Sequence, residues 1–188
     1  MSTIAVVRKN GLACIASDGL IKAGSLKISN EHVRGYEKIQ KVGLNYIGVL
    51  GPAKAYQVVR SYFADKQDIE PKSADEIFET VRKMQPCLPE GYFLNPVESD
   101  KEEYSSLQME MLIANPYGIF GVDCWGSVSE FTKYWAKGNG DAYAMGSMFA
   151  NFDRLAHPEE IALEALKAAS AFDDSTAEPF ALSVIKLH

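Results

Sequence analysis

The residue with the most chemistry to offer stands second in the chain. The sequence opens Met1-Ser2-Thr3, and removal of the initiator methionine, expected when a small serine follows, leaves Ser2 first. A free α-amine and a hydroxyl then share one residue. An α-amine has an unperturbed pKa of about 7.7–8.0, so near neutral pH it can act as a base for its own side chain. Ser2 reads as well as the mere second residue of a chain whose first strand begins early, because a lone serine is a weak motif.

The other reactive side chains do not gather. Cys14, Cys87 and Cys124 are widely separated and lack CxxC spacing, so they read as reduced, mostly buried thiols. His32, His157 and His188 share no metal-ligand spacing, and neither a zinc site nor any other metal centre is expected.

What must hold Ser2 is the segment that follows it. Two β-rich runs, Thr3–Arg8 and Leu12–Ser17, are joined by Lys9-Asn10-Gly11. Asn-Gly between alternating apolar segments is a strong hairpin signal, because both residues tolerate positive φ. The hairpin starts at the N-terminus, with no arm or signal segment expected before it.

Beyond Asp18-Gly19 the chain reads as irregular and extended to about Arg34. Lys38–Val42 and Tyr46–Gly51 form a second hairpin around Gly43-Leu44-Asn45. Gly48 and Gly51 within it point either to close approach of a backbone or ligand, or to a bulge. Pro52 suits the start of a helix over 53–65, with Ala55, Val58, Val59, Tyr62 and Phe63 as its apolar stripe. Ser73-Ala-Asp-Glu76 is a capping-box pattern opening a helix to about Gln85, with Ile77, Phe78, Val81 and Met84 inside. Residues 86–106 carry three prolines and a polar run and read as a long loop without chemical motif.

Leu107–Ala114, Ile119–Cys124 and Glu130–Ala136 read as strands. Helices follow at Asp141–Asp153, with Ala, Met and Gly on its packing face, and from His157 to about Ala171. A strand over Phe180–Leu187 closes the chain. Strands grouped between helix pairs imply an α+β fold with two antiparallel sheets sandwiched by helices.

At 188 residues, 47% hydrophobic and 23% charged, the chain suits a single soluble domain over 1–188. The net charge of −6 and the lack of basic clusters argue against nucleic acid or an anionic membrane as partner. No run of 18 apolar residues is present, so a cytosolic protein is expected.

Five stretches, in order, resemble the proteasome β-subunit and HslV family of N-terminal-nucleophile hydrolases. The opening STIAVVRKNGLACIASDG is similar to the family's TTxVxxRxxGxVxxAxDG, and EKIQKV to the strand carrying its active-site lysine. GVLGPAKAY is similar to AGxxADA, AKGNGDAYAMGSMFANFD to xxGSGxxYAxGxL, and DDSTAEPFALSVI to the final Asp-x-x-Ser loop and strand. Within the family the chain looks nearest to the minor bacterial proteasome homologues, including the beta-proteobacterial type.

The resemblance implies a four-layer αββα sandwich and a peptidase that hydrolyses amides through an acyl-enzyme on Ser2, without a cofactor. Ser2 matches the nucleophile, whose proton goes to its own amine through water. Asp18 matches the buried acid and Lys38 the active-site lysine, an ammonium that lowers the pKa of amine and hydroxyl. Gly51 matches the position whose backbone N–H forms the oxyanion hole, where one donor is worth about 2.7–4 kcal/mol. Asn139 falls where the family has serine, and Asp173 with Thr176 on the supporting Asp-x-x-Ser, with Asp174 and Ser175 as a one-residue slip. Without the resemblance Asp18 reads as a turn residue and Lys38 as a solvated strand charge. Asn139, Asp173 and Thr176 read as helix and turn caps.

Two departures stand out. Serine replaces the family's usual threonine and lacks the methyl that restricts χ1. Lys22 stands where a small hydroxyl residue commonly contacts substrate backbone. The resemblance further implies polypeptide substrates, self-association into a double ring, heptameric in preference to hexameric, and, by analogy only, an AAA+ unfoldase partner. The alternatives are a ring scaffold with weak or no peptidase activity and a small-molecule amidase on the same fold. The expected absence of a helix ahead of the first strand, together with Asp18 and Lys38, favours the enzyme over the scaffold.

Overall fold

Asn10 and Gly11 both take positive φ, 51° and 73°, and turn β1 (Thr3–Lys9) back onto β2 (Leu12–Ser17) with Lys9 opposite Leu12. The computed structural model that shows this describes residues 2–29, 32–66, 68–92, 94 and 106–188. Met1 and residues 93 and 95–105 of the expected 86–106 loop lie outside the described residues.

The stretch expected to be irregular holds a second hairpin instead, β3 (Leu20–Ala23) and β4 (Leu26–Ser29), turning at Gly24-Ser25. Each strand is four residues long, and its lysines blur the alternation that would reveal it. Next come β5 (Ile39–Val42) and β6 (Asn45–Leu50), then helices α1 (Ala53–Tyr62) and α2 (Ala74–Met84). A short helix, α3 (Cys87–Tyr92), replaces the first part of the expected loop. Pro89 does not forbid it, because it sits in the first turn, where backbone N–H groups have no intrahelical partner.

Strands β7 (Glu110–Asn115), β8 (Gly118–Val122), β9 (Val128–Phe131) and β10 (Tyr134–Gly138) follow. Helices α4 (Asp141–Asn151) and α5 (Pro158–Phe172) and strand β11 (Ala181–Lys186) complete the chain. The run Glu130–Ala136, expected as one strand, is divided between β9 and β10. These two belong to different sheets, and the chain crosses between layers at Thr132-Lys133. Alternation continues through the crossing and so hides it.

One sheet has the order β10-β1-β2-β11 and the other β5-β6-β7-β8-β9, all neighbours antiparallel. The period of two in β1 decides what lies on either side of it. Ile4 and Val6 pack between the sheets against Leu112 and Ile119. Ala5 and Val7 face the other way, onto Ile161, Ala165 and Leu166 of α5. On the far face of the five-stranded sheet, Ile47, Val49, Met111 and Ile113 meet Val58, Val59, Ile77 and Val81 of α1 and α2. The layers are therefore helix, sheet, sheet, helix, the αββα sandwich that element order and resemblance both implied.

Three finer expectations need correction. Phe78 is exposed, because the buried stripe of α2 is Ile77, Val81 and Met84 and Phe78 lies a third of a turn away from it. A Cβ at Gly146 of α4 would meet nothing within 4 Å, so that glycine is not on the packing face. Among the cysteines only Cys14 is buried, its thiol pushed up to about 12 by desolvation, while Cys87 is exposed and Cys124 intermediate. Gly48 is a matter of sheet packing: an added Cβ would stand 2.9 Å from Ile4 Cγ2 of the facing sheet.

Candidate active site

Five strand ends meet at one edge of the sandwich: the start of β1, the ends of β2, β6 and β10, and the start of β5. Antiparallel pairing makes this unavoidable for β1, whose first residues lie opposite Ser17 of β2 and Gly138 of β10. The second sheet brings Lys38, immediately before β5, and Gly51, immediately after β6.

Asp18 is the hub. Its Oδ1 accepts the Thr3 N–H at 2.9 Å, and its Oδ2 accepts the Leu20 N–H at 3.0 Å and Lys38 Nζ at 2.8 Å. Its own N–H donates to the Thr3 carbonyl at 3.2 Å, extending the β1–β2 ladder by one rung. Lys38 Nζ donates also to the Leu20 carbonyl at 2.7 Å. The ion pair is dry, the side chains of Lys38 and Asp18 being 2% and 0% exposed. Burial pulls the Lys38 ammonium below the ordinary lysine pKa, and the Asp18 charge opposes that shift. Asp18 and Lys38 are thus a buried, mutually satisfied pair.

Ser2 is itself buried. Its carbonyl accepts the Asn139 N–H at 3.1 Å, and its hydroxyl lies 3.2 Å from the hydroxyl of Tyr56 on α1. Burial raises the Tyr56 pKa above that of an ordinary phenol, a hydrogen bond with Ser2 working against the shift.

Two glycines make room. Gly51 has φ 143°, and a Cβ there would lie 2.8 Å from the Gln108 carbonyl oxygen, so close backbone approach is the reason for this glycine. Gly138 has φ 117°, and its Cβ would fall on the Ser2 carbonyl oxygen. Both border a cleft of about 520 Å³ shared with Ser2, Met109, Trp125 and Asn139.

The 173–176 loop supports the site from behind. Thr176 Oγ1 donates to Asp173 Oδ2 at 2.6 Å and also lies 2.6 Å from Thr3 Oγ1, which accepts the Gly140 N–H at 3.0 Å. A hydroxyl has one proton, so the chain runs one way, from Gly140 through Thr3 and Thr176 to Asp173. Asp174 and Ser175 are used as well. Asn139 Nδ2 donates to Ser175 Oγ at 3.3 Å, Ser175 Oγ to Asp174 at 2.9 Å, and Lys22 pairs with Asp174 at 2.9 Å. The structure therefore brings Ser2, Asp18, Lys38, Gly51 and Asn139 to one place. Asp173 and Thr176 reach Thr3 rather than the Ser2 hydroxyl.

Tyr56, Thr3 and Gly138 were missed by sequence reasoning. All three lie inside the matched stretches, Tyr56 as the last residue of GVLGPAKAY, but none of them was given a role there. Among the described residues no group of three His, Cys, Asp or Glu could hold a metal ion, and no helix is long and apolar enough to cross a membrane.

No family model matches the chain, and no curated protein sequence does. Solved structures do. Thiobacillus denitrificans BPH is 34% identical, with a TM-score of 0.92 over 99% of this chain and 98% of that one. Its complex with epoxomicin gives the same identity, a TM-score of 0.91 and 99% coverage of both chains. A eukaryotic HslV from Trypanosoma brucei is 16% identical, with a TM-score of 0.68 over 98% of this chain and 99% of that one, a likeness of fold.

Proposed function

Since the chain belongs to the proteasome β-subunit and HslV family of N-terminal-nucleophile hydrolases, we propose that it is a peptidase subunit whose nucleophile is the hydroxyl of Ser2, freed by removal of Met1. The observation that carries this reading is the carboxylate of Asp18, which joins the Thr3 N–H to the Lys38 ammonium. It ties a buried positive charge to the backbone one residue from the new terminus. A positive charge so placed favours the neutral form of a nearby amine, the form that can take a proton.

In the reaction Ser2 Oγ attacks the carbonyl carbon of a peptide. The hydroxyl proton passes through water to the Ser2 amine and on to the leaving nitrogen. The Gly51 N–H faces the developing oxyanion, a role only a backbone donor kept clear of side chains can fill. Water then hydrolyses the ester on Ser2. Asn139 fixes the Ser2 carbonyl, and Asp173 and Thr176 hold Thr3, so these three position the nucleophile.

The test is intact mass after incubation with epoxomicin, the ligand of the Thiobacillus denitrificans protein. Loss of Met1 and one adduct, absent from Ser2→Ala, is the expected result. Retained Met1 with no adduct would favour the inactive ring scaffold instead. The same reading includes polypeptide substrates, residence in the cytosol and self-association into a double ring, heptameric in preference to hexameric. An AAA+ unfoldase partner belongs to it by analogy.

A further inference from the structure

Neither Asp18, Lys38 nor the 173–176 loop holds the Ser2 hydroxyl. Its hydrogen-bond partner is the phenol of Tyr56, at 3.2 Å. Tyr56 is fixed at both ends. Its ring lies against Tyr36, with centroids 5.0 Å apart, and its carbonyl accepts Gln40 Nε2 at 2.6 Å. The residue is only 5% exposed, so water does not compete freely for the phenol.

Serine has a use for such a partner. Threonine carries a β-methyl that restricts χ1, whereas the serine hydroxyl samples its staggered wells with little bias. We propose that Tyr56 is a further catalytic residue, its phenol held in a hydrogen bond with Ser2 Oγ and so selecting the rotamer that the missing methyl does not.

The assignment rests on Ser2 being the nucleophile. In acylation the Oγ–C bond forms, the peptide C–N bond breaks, and the serine proton travels to the amine and then to the leaving nitrogen. The Tyr56 proton stays on its own oxygen throughout. Burial keeps that phenol protonated beyond the ordinary range, so it stays a neutral hydrogen-bond partner of Ser2.

The experiment uses the full chain with Met1 removed, as parent, Tyr56→Phe, Ser2→Thr and the double variant. Epoxomicin adduct rates, kcat and KM on a fluorogenic peptide, and thermal midpoints are read for each. Loss of one such hydrogen bond should lower kcat and the adduct rate about tenfold in the Ser2 background, with KM unchanged. In the Ser2→Thr background the loss should shrink to about twofold, because the methyl then does the orienting.

Equal losses in both backgrounds, or none in the parent background, would overturn the assignment while leaving the peptidase reading intact. The Ser2→Thr variant with Tyr56 in place gives an independent check and does not depend on the folding of Tyr56→Phe. Its rate should stay within about twofold of the parent, and a rise of about tenfold would show that Ser2 is not already oriented. No adduct on a parent chain lacking Met1 removes the peptidase reading and the role of Tyr56 together.

Discussion

Asp18 accepts from a backbone N–H on β1, another at β3 and an ammonium from the second sheet, all out of contact with water. Removing the carboxylate leaves Lys38 buried beside its former partner. Asp18→Ala should therefore cost about 3–5 kcal/mol, read from urea denaturation. A loss under about 1 kcal/mol would mean that water reaches the ammonium after all. Lys38 also sets a pH dependence. Its pKa is lower in the folded chain than the ordinary 10.5, so between those two values the unfolded chain binds more protons. Stability contributed by this group rises with pH across that window. Activity moves the opposite way, because the ammonium is lost there. A kcat/KM profile should climb as the Ser2 amine deprotonates and fall again below pH 10.5. A profile still flat at that pH would remove the Lys38 charge from the mechanism.

The elements fix where the residue chemistry can occur, and Gly138 tests this most directly. It ends β10 opposite Thr3, and a side chain there would occupy the position of the Ser2 carbonyl oxygen. Gly138→Ala should push the start of β1 off β10, with a loss of about 1–3 kcal/mol and of epoxomicin labelling together. Ser73 serves as contrast. It caps α2 by accepting the Glu76 N–H at 3.3 Å, on the helix layer away from Ser2. Ser73→Ala should cost about 1 kcal/mol and leave labelling unchanged. The capping box at Ser73 and the Asn10-Gly11 turn were legible in the sequence because their signals are local, a few residues with one backbone conformation each. So was the gathering of Ser2, Asp18, Lys38 and Gly51, which sit in stretches long enough to match a family in order. The crossing at Thr132-Lys133 was not, because period-two alternation looks the same on either sheet. Tyr56 was hidden for a related reason: α1 brings it to Ser2 from 54 positions away, a distance no spacing rule covers.

At the scale of the whole molecule, the sandwich buries its sheets but leaves aromatic rings uncovered on its outer helices. Phe149 of α4 and Phe172 of α5 are 79% and 72% exposed, and Tyr143 packs on Phe172 with centroids 5.3 Å apart. Large apolar rings left in water on neighbouring helices are what a further layer of protein would cover. If copies of this chain assemble as proposed, the outer face of α4 and α5 is where that layer should rest. The double variant Phe149→Asp/Phe172→Asp should then shift native mass toward the 20.7 kDa of one chain while leaving the circular dichroism of the parent, since neither ring belongs to a buried cluster. A parent that already runs at one-chain mass would end the ring reading and favour the small-molecule amidase. The residues proposed for the site, Ser2, Asp18, Lys38, Gly51 and Tyr56, are all brought together within one chain. Epoxomicin labelling of the dissociated variant would therefore separate two roles for assembly. Full labelling would assign the ring to enclosing the site and selecting substrates, and lost labelling would make contact between copies part of what orders the strand ends around Ser2.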